Sequence, residues 1–183
     1  MKILTSPSVV RIATVNDKDE IWRLLLQGYK DNGIFTLDPL KVEHLINRAV
    51  YADQIPPWDS GPRAHIGVIG KEGNLEAIVF LLIASFWYSS DLHLEELIVF
   101  VDPEHRKSEH AKSIISWMKK TASALGIPLL TGIISKDRTA AKIRLYDRYL
   151  PRIGAFYLFP LDGKDVKKRN HMDRESYLQS VKH

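Results

Sequence analysis

A strand–loop–helix segment, Leu94 to Lys120, contains residues whose types and spacing could bind an anion. An apolar strand ends at Val101, a short loop carries Asp102 to Lys107, and an amphipathic helix begins at about Ser108. Free backbone N–H groups at a helix N-terminus, together with the helix dipole, attract phosphate groups. The basic residues at the end of the loop add positive charge beside them. Because such segments also occur without a ligand, the spacing predicts a phosphate site but does not by itself identify one.

Two adjacent carboxylates, Glu95 and Glu96, lie on the strand that leads into this loop. Strand side chains alternate between the two faces of a sheet, so only one of the pair can point into a given cleft. Regular alternation predicts that Glu95 shares a face of the sheet with Leu97, Val99 and Val101. It predicts that Glu96 shares the other face with Ile98 and Phe100. A carboxylate on an otherwise apolar face is costly unless it is paired or used. Each is therefore either a partner in a structural salt bridge or a candidate general base.

The elements that must position these residues follow from hydrophobic periodicity and turn residues. Strands are predicted at Val9–Thr14, Ala64–Ile69, Leu75–Phe86, Leu92–Val101, Leu129–Ser135 and Gly154–Phe159. Helices are predicted from Asp17, from Asp38-Pro39, over Ser108–Leu125 and over Asp137–Leu150. This order predicts an α/β (α+β) fold with a mixed six- or seven-stranded sheet, splayed near Val99–Val101, and helices on both faces. One domain is expected over residues 1–162, followed by a polar, basic tail over 163–183.

Composition narrows the classes of function. The 183 residues include no cysteine, which excludes disulfides, thiolate metal sites and a cysteine nucleophile, and which agrees with a cytoplasmic location. No apolar run approaches the ~20 residues of a membrane span, and the N-terminus lacks a secretory signal. The net charge of +4 suits an anionic ligand or a weak attraction to nucleic acid, although solvated surface charge explains it as well.

The segment around the loop resembles the GNAT superfamily of acetyl-CoA-dependent N-acyltransferases, and in particular its phage- or prophage-encoded members. In that family a strand ending in a V-x-P-like sequence leads to an Arg/Gln-x-x-Gly-x-Gly/Ala loop around the CoA pyrophosphate. Val101-Asp102-Pro103-Glu104 supplies the strand end, and the loop positions hold Arg106, Lys107, Ser108, Glu109, His110 and Ala111. Arg106 and Ala111 match the pattern, whereas Glu109 stands at the usual first glycine. The resemblance implies that this loop holds the pyrophosphate and that the backbone of Val99, Phe100 and Val101 lines the acyl group.

A second segment, Arg138 to Phe159, carries the rest of the resemblance. Family members often have a helix ending in Leu-Tyr, then a basic residue and a Gly-aromatic strand, as in Leu145-Tyr146, Arg148 and Gly154-Ala155-Phe156. Thr139 replaces a frequent Asn and Lys142 a frequent Ala, and both are expected at the cofactor. The resemblance implies that Tyr146 donates a proton to the departing CoA thiolate, for which a phenol pKa near ~10 is suitable. Tyr146 also shares a helix face with Ile143 and Leu150, so it could equally be a core residue.

The implied reaction is direct transfer of an acetyl group from acetyl-CoA to an amine. Either Glu95 or Glu96 would be the base, and Glu95 is slightly favoured because it shares the predicted face of Val99 and Val101. His93, His105 and His110 form no metal-ligand pattern, and no metal is expected. Trp58, Trp87 and Tyr88 could line an acceptor pocket or belong to the core. The acceptor and the oligomeric state stay open, a homodimer being one option.

Two other classes of function compete with an acetyltransferase. One is a GNAT-like protein that binds CoA without catalysis, which is consistent with the departures of Glu109 and Thr139 from the family pattern. The other is a basic protein that binds nucleic acid or another partner through the tail around Lys164–Arg169, although acidic residues interrupt that tail.

Overall fold

A mixed five-stranded sheet with the order β1-β2-β3-β4-β5 forms the centre of the computed structural model, which describes residues 8–135 and 138–157. The strands are β1 (Arg11–Ile12), β2 (Arg63–Lys71), β3 (Asn74–Ser85), β4 (Leu92–Val101) and β5 (Leu129–Leu130). The helices are α1 (Lys18–Asn32), α2 (Pro39–Val50), α3 (His110–Leu125) and α4 (Thr139–Asp147), with 3-10 turns at Val15–Asp17, Ala52–Gln54 and Pro103–His105. The first four strands are antiparallel neighbours, and β5 runs parallel to β4.

The predicted mixed α/β fold is confirmed, but the predicted count of six or seven strands is too high for the described residues. The first strand is only two residues long, and the strand predicted over Leu129–Ser135 ends at Leu130. Residues 154–157 form no strand, and the last two residues predicted for that strand lie outside the described part of the chain. All of residues 151–157 are exposed, so burial of apolar side chains does not stabilise a strand there. The predicted tail, 163–183, also lies outside the described residues.

Two apolar cores cover the two faces of the sheet. The first lies under α1 and α2 and includes Ile21, Trp22, Ile46, Ile78 and Phe100. The second lies under α3 and α4 and includes Val79, Leu81, Leu94, Ile114 and Met118. We refer to these as the α1/α2 face and the α3/α4 face. None of the described helices is long and apolar enough to cross a membrane.

A β-bulge in β4 changes which face each of its side chains occupies. Ile98 pairs with Phe80 of β3, and Glu96 pairs with the next residue of β3, Leu81. Leu97 is therefore an extra residue of β4 that has no paired residue on β3. Residues directly opposite one another share a face, and a bulge therefore reverses the alternation along its strand. Glu96 lies on the α3/α4 face with Leu94, Val99 and Val101, whereas Glu95 lies on the α1/α2 face with Ile98 and Phe100. The face assignment predicted by regular alternation is therefore wrong for both carboxylates.

The sheet also splays at the edge of β4 that faces β5, where the two strands separate. The parallel pairing with β5 is confined to Leu94 with Leu129 and Glu95 with Leu130. From Glu96 onward, no strand among residues 8–135 and 138–157 pairs with that edge of β4. The divergence begins at Glu96, three residues before the predicted position at Val99. It leaves a stretch of strand backbone next to the loop that precedes α3.

Helix α3, which must hold that loop in place, ends at a glycine in the left-handed conformation. Gly126 has φ of 68°, and a Cβ at this position would meet no atom within 4 Å. We expect Gly126→Ala to lower the free energy of unfolding by about 1 kcal/mol because of the backbone conformation alone. The measurement is chemical denaturation. The matched control is Gly154→Ala, where a Cβ also meets nothing within 4 Å and φ is not in the left-handed region; a loss as large there would contradict the explanation.

Candidate active site

The side chains of Glu96 and Tyr146 meet at the place where β4 separates from β5. The Tyr146 hydroxyl donates a hydrogen bond to Glu96 Oε2 at 2.9 Å. Both residues are partly buried, and Tyr146 packs against the core of the α3/α4 face. Tyr146 is therefore a packed residue that also has a polar partner. Its packing does not conflict with the proton-donor role, which stays a prediction.

The environment of this pair changes how it binds protons. Burial raises the pKa of Glu96 to about 7, against the smaller opposing effects of the Tyr146 hydrogen bond and the Lys142 charge. Burial and the neighbouring Glu96 carboxylate raise the pKa of Tyr146 well above its ordinary value. At neutral pH the site thus combines a carboxyl group near its midpoint with a phenol that keeps its proton. This is the protonation pattern of a general base beside a general acid.

Glu95 does not join this pair. In β4 it lies opposite Leu82 of β3, on the α1/α2 face, and it also pairs in register with Leu130 of β5. The preference for Glu95 depended on its sharing a face with Val99 and Val101, which the bulge gives to Glu96 instead. Of the two carboxylates predicted as candidates, only Glu96 contacts Tyr146.

Lys142 and Thr139, predicted at the cofactor, belong to a polar cluster at the start of α4. Lys142 Nζ donates to Asn32 Oδ1 at 3.1 Å and to Ser135 Oγ at 2.7 Å. Ser135 Oγ itself donates to Asn32 Oδ1 at 2.5 Å, and Thr139 Oγ1 donates to the Ser135 carbonyl at 2.8 Å. The cluster ties the end of α1 to the beginning of α4. Asn32 and Ser135 were not predicted at the site, because nothing in the local sequence pattern connects two residues about a hundred positions apart.

The predicted phosphate loop lies between the Pro103–His105 turn and α3. Arg106 Nη2 donates to Asp31 Oδ2 at 2.9 Å, and its guanidinium lies 5.7 Å from the centre of the Phe100 ring. Ser108 Oγ donates to the His105 carbonyl at 2.6 Å and accepts from the His110 backbone N–H at 3.2 Å. Arg106 is thus held at the end of β4, at the loop.

The first turn of α3 has the geometry of an anion site. The first bond of its helical ladder runs from the Ser113 N–H to the Glu109 carbonyl, so the N–H groups of Ala111 and Lys112 precede the ladder. Lys107 is exposed beside this turn. The helix is 16 residues long, and its dipole adds positive potential at this end.

Glu109, at the position where the family usually has glycine, fits this turn without strain. It is the N-cap residue of α3, and its φ of −83° is available to any residue. Its carboxylate accepts from Lys112 Nζ at 3.0 Å, and both side chains are well exposed. The Glu109 carboxylate therefore lies on the exposed surface of the helix, where the charge of Lys112 partly neutralises it.

The side chain of His110 points into the molecule and not toward the anion site. It is 6% exposed, with Nδ1 2.6 Å from Ser8 Oγ and Nε2 2.6 Å from Glu76 Oε2. His105 joins this group, and its ring stacks on that of His110 with centroids 5.7 Å apart. The two histidines occupy different elements, as predicted, but the turn between those elements brings them together. The backbone N–H of His110 contacts the predicted phosphate loop, through Ser108 Oγ.

The three aromatic residues considered for an acceptor pocket are not in the core. Trp58, Trp87 and Tyr88 are 85%, 95% and 70% exposed. Trp58 lies in the loop between α2 and β2, and the other two lie in the turn between β3 and β4. The alternative that they are core residues is therefore wrong.

No family model and no curated protein matches the chain. Solved structures do match. Ribosomal-protein-alanine N-acetyltransferase from Brucella melitensis biovar Abortus 2308 is 17% identical, with a TM-score of 0.59 over 83% of this chain and 97% of that one. Aminoglycoside acetyltransferase AAC(6')-Iy, in complex with the bisubstrate analogue CoA-S-monomethyl-acetylneamine, is 13% identical, with a TM-score of 0.58 over 82% and 95%.

A GNAT family acetyltransferase from Staphylococcus aureus is 14% identical, with a TM-score of 0.50 over 83% of this chain and 98% of that one. At these identities the similarity establishes a shared fold. It confirms the predicted GNAT-like architecture. The predicted resemblance to phage-encoded members and the cytoplasmic location stay predictions.

Proposed function

We propose that this chain is an acetyl-CoA-dependent N-acetyltransferase of the GNAT superfamily that transfers the acetyl group directly to an amine. The observation that carries the proposal is the hydrogen-bonded pair of Glu96 and Tyr146 at the point where β4 leaves β5. A carboxyl group with a pKa of about 7 beside a protonated phenol is suited to moving one proton in and one proton out at neutral pH. The fold is shared with acetyltransferases, one of which binds a CoA-containing bisubstrate analogue.

The cofactor would occupy the splay and the loop beside it. The first-turn N–H groups of α3 and the charges of Arg106 and Lys107 would hold the pyrophosphate, with Ser108 at the same turn. The unpaired edge of β4 over Val99, Phe100 and Val101 would run along the acyl-bearing arm, where backbone N–H groups can polarise the thioester carbonyl. The cluster of Thr139 and Lys142 would close the opposite side of the gap.

The proposed step balances within the site. The acceptor nitrogen forms a bond to the acetyl carbonyl carbon while the carbon–sulfur bond breaks. Glu96 takes the proton that the amine loses, and Tyr146 gives its proton to the departing thiolate. The new proton on Glu96 then returns to the Tyr146 oxygen along their 2.9 Å hydrogen bond, which restores both groups. Because the chain has no cysteine, no acyl-cysteine intermediate is available, and positioning of both substrates would supply much of the rate.

Arg106→Gln tests the cofactor site. We expect it to weaken the binding of acetyl-CoA by about tenfold, because a charge-assisted contact to the pyrophosphate is lost. The measurement is titration calorimetry, supported by the rise in thermal midpoint on adding acetyl-CoA. Acetyl-pantetheine lacks the pyrophosphate, and its affinity should be the same for both proteins.

The matched control is Arg63→Gln, an exposed arginine at the start of β2, at the far end of the sheet from the loop. It should bind acetyl-CoA like the unaltered protein. If the unaltered protein binds no acetyl-CoA at millimolar concentration, the proposed function fails. If both arginine variants lose affinity equally, the loop is not the pyrophosphate site.

The acceptor is best found by screening amines for thiol release from acetyl-CoA. Small amines, aminoglycoside-like compounds, peptide N-termini and protein lysines form the panel. The exposed aromatic residues Trp58, Trp87 and Tyr88 are the side chains to vary once an acceptor is known. A protein that binds acetyl-CoA and acetylates no member of the panel, with a tyrosine or glutamate variant behaving identically, would favour the non-catalytic alternative.

A further inference from the structure

A second cluster of reactive side chains lies outside the Glu96–Tyr146 pair. It consists of Glu76, His105 and His110, which each offer one ligand atom, and these atoms all lie within 4.8 Å of one another. His110 Nε2 is 2.6 Å from Glu76 Oε2, and His105 Nδ1 is 3.3 Å from the same oxygen. Glu76 and His105 are partly exposed while His110 is buried, so solvent and a dissolved ion can reach the cluster through the first two residues.

The fold brings these three residues together from three elements. The register that pairs Ala77 with Val101 puts Glu76 beside the residue where β4 gives way to the Pro103–His105 turn. Glu76 is also the extra residue of a bulge, because Ile69 pairs with Ala77 and Gly70 pairs with Leu75. A bulge redirects a side chain, here toward the α3/α4 face where α3 begins with His110.

The surroundings of His110 are those of an oriented ligand. Its Nδ1 lies 2.6 Å from Ser8 Oγ, and its Nε2 lies 2.6 Å from Glu76 Oε2. Without an ion, Nε2 would donate its proton to Glu76; with an ion bound, the proton would sit on Nδ1 and be donated to Ser8, which frees the Nε2 lone pair for the ion. A hydrogen bond from the second ring nitrogen fixes the ring and tautomer of metal-binding histidines. Burial at 6% exposure further limits the motion of this ring.

We propose that Glu76, His105 and His110 form a binding site for a divalent transition-metal ion, with Zn²⁺ as the ion whose chemistry fits best. Two imidazoles and one carboxylate are a ligand set that Zn²⁺ uses, with a water molecule completing a tetrahedron. Ligand bonds of about 2.0–2.2 Å in a tetrahedron require donor atoms about 3.4 Å apart. His110 Nε2 and His105 Nδ1 lie 2.6 Å and 3.3 Å from Glu76 Oε2, and no two of the three ligand atoms are more than 4.8 Å apart. Modest side-chain rotations would bring the donor atoms to the spacing that the ion requires.

The ion would act as a structural clamp. It would join β3 to the loop before α3 through side chains alone, and so restrict the segment from the Pro103–His105 turn to the start of α3. It takes no part in the chemistry proposed for Glu96 and Tyr146, which are separate side chains with their own hydrogen bond. Metal binding at this cluster can be measured without any substrate and independently of acetyl transfer.

The test uses the full chain without an affinity tag, stripped with a chelator and dialysed. Titration with Zn²⁺ should give one ion per chain and raise the thermal midpoint by several degrees. His105→Gln should weaken Zn²⁺ binding by at least about tenfold, because one of three protein ligands is lost. This variant keeps the fold testable, since His105 is partly exposed, whereas His110→Gln alters a buried group.

The matched control is His44→Gln, an exposed histidine on α2, which should bind Zn²⁺ like the unaltered protein. Substitution with Co²⁺ gives a second measurement, because ligand-field bands in the visible spectrum should appear in the unaltered protein and be lost in His105→Gln. The proposal is overturned if the unaltered protein binds no stoichiometric Zn²⁺. It is equally overturned if His105→Gln binds with unchanged affinity, and the three residues would then be a hydrogen-bonded cluster without a metal.

Discussion

Replacing Glu96 with glutamine is expected to lower kcat by about 10²–10⁴-fold while leaving the protein at least as stable as before above pH 7. Glutamine keeps an oxygen that can accept the hydrogen bond from Tyr146, but it cannot take a proton from the acceptor amine. The measurement is steady-state acetyl transfer to the acceptor found by screening, together with chemical denaturation at pH 8.

The expected effect on stability follows from the direction of the pKa shift. Burial raises the pKa of Glu96 to about 7 in the folded protein, whereas an unfolded glutamate titrates near ~4.3. Between these values the unfolded state releases its proton first, so ionisation of Glu96 reduces stability as pH rises, and above pH 7 the reduction is complete. Glu96→Gln removes it and should stabilise the protein at pH 8 by up to about 3 kcal/mol, with little effect at pH 4.

The pH profile of the reaction gives an independent reading. A base with a pKa of about 7 in the free enzyme predicts that kcat/KM rises with pH up to about 7 and then levels off. That inflection should be absent from Glu96→Gln. Glu95→Gln is the matched control, since the bulge places this residue on the opposite face, and it should retain both the rate and the inflection. Loss of rate together with loss of stability in Glu96→Gln would mean that the residue has a structural role only.

Sequence periodicity predicted the elements of this fold well wherever burial follows a regular pattern. The three long strands and the two helices before them were predicted, with boundaries within a few residues, because their apolar positions repeat with the period of the element. Asp38 caps α2 by accepting from the Lys41 N–H, and Gly126 ends α3 with positive φ, as turn chemistry indicated. The C-terminal strand was predicted, but residues 154–157 form no strand. Composition does not reveal whether apolar side chains find a surface to cover.

The candidate site was predictable in its parts but not in its arrangement. Glu96 and Tyr146 were both named from their types and positions, yet regular alternation put Glu96 on the wrong face. A bulge is set by how two strands pair, and neither strand alone shows that Leu97 is the extra residue. The same limit hid the approach of Glu76 to His105 and His110, which depends on the β3–β4 register. Long-range pairing, rather than local propensity, decides these contacts.

The second large effect is expected at Asp17, which organises the start of α1. Asp17 is fully buried, accepts from Arg11 Nη1 at 2.7 Å and from Nη2 at 2.8 Å, and accepts from the Thr14 N–H at 2.8 Å. One carboxylate thus joins β1 to the turn that starts the helix. Asp17→Ala should lower the free energy of unfolding by about 2–3 kcal/mol, since it removes both the partner of Arg11 and the acceptor for Thr14. We expect a smaller loss of unfolding free energy than for a fully buried ion pair, because the Arg11 side chain is 33% exposed and solvent screens its charge.

The pH dependence distinguishes the charge of Asp17 from its shape. Burial alone would raise the pKa of Asp17, but the hydrogen bonds from Arg11 and Thr14 outweigh it and hold that pKa below its usual value. The carboxylate therefore contributes stability above the unfolded value of about 3.9, and the contribution is lost as pH falls through the folded pKa. The difference in unfolding free energy between the unaltered protein and Asp17→Asn should be constant from pH 5 to pH 7 and shrink below about pH 4.

The control is Asp53→Ala, at an exposed carboxylate after α2, which should change the free energy of unfolding by less than about 0.5 kcal/mol at every pH. A difference for Asp17→Asn that stays the same down to pH 2 would show that the ion pair with Arg11 does not stabilise the fold.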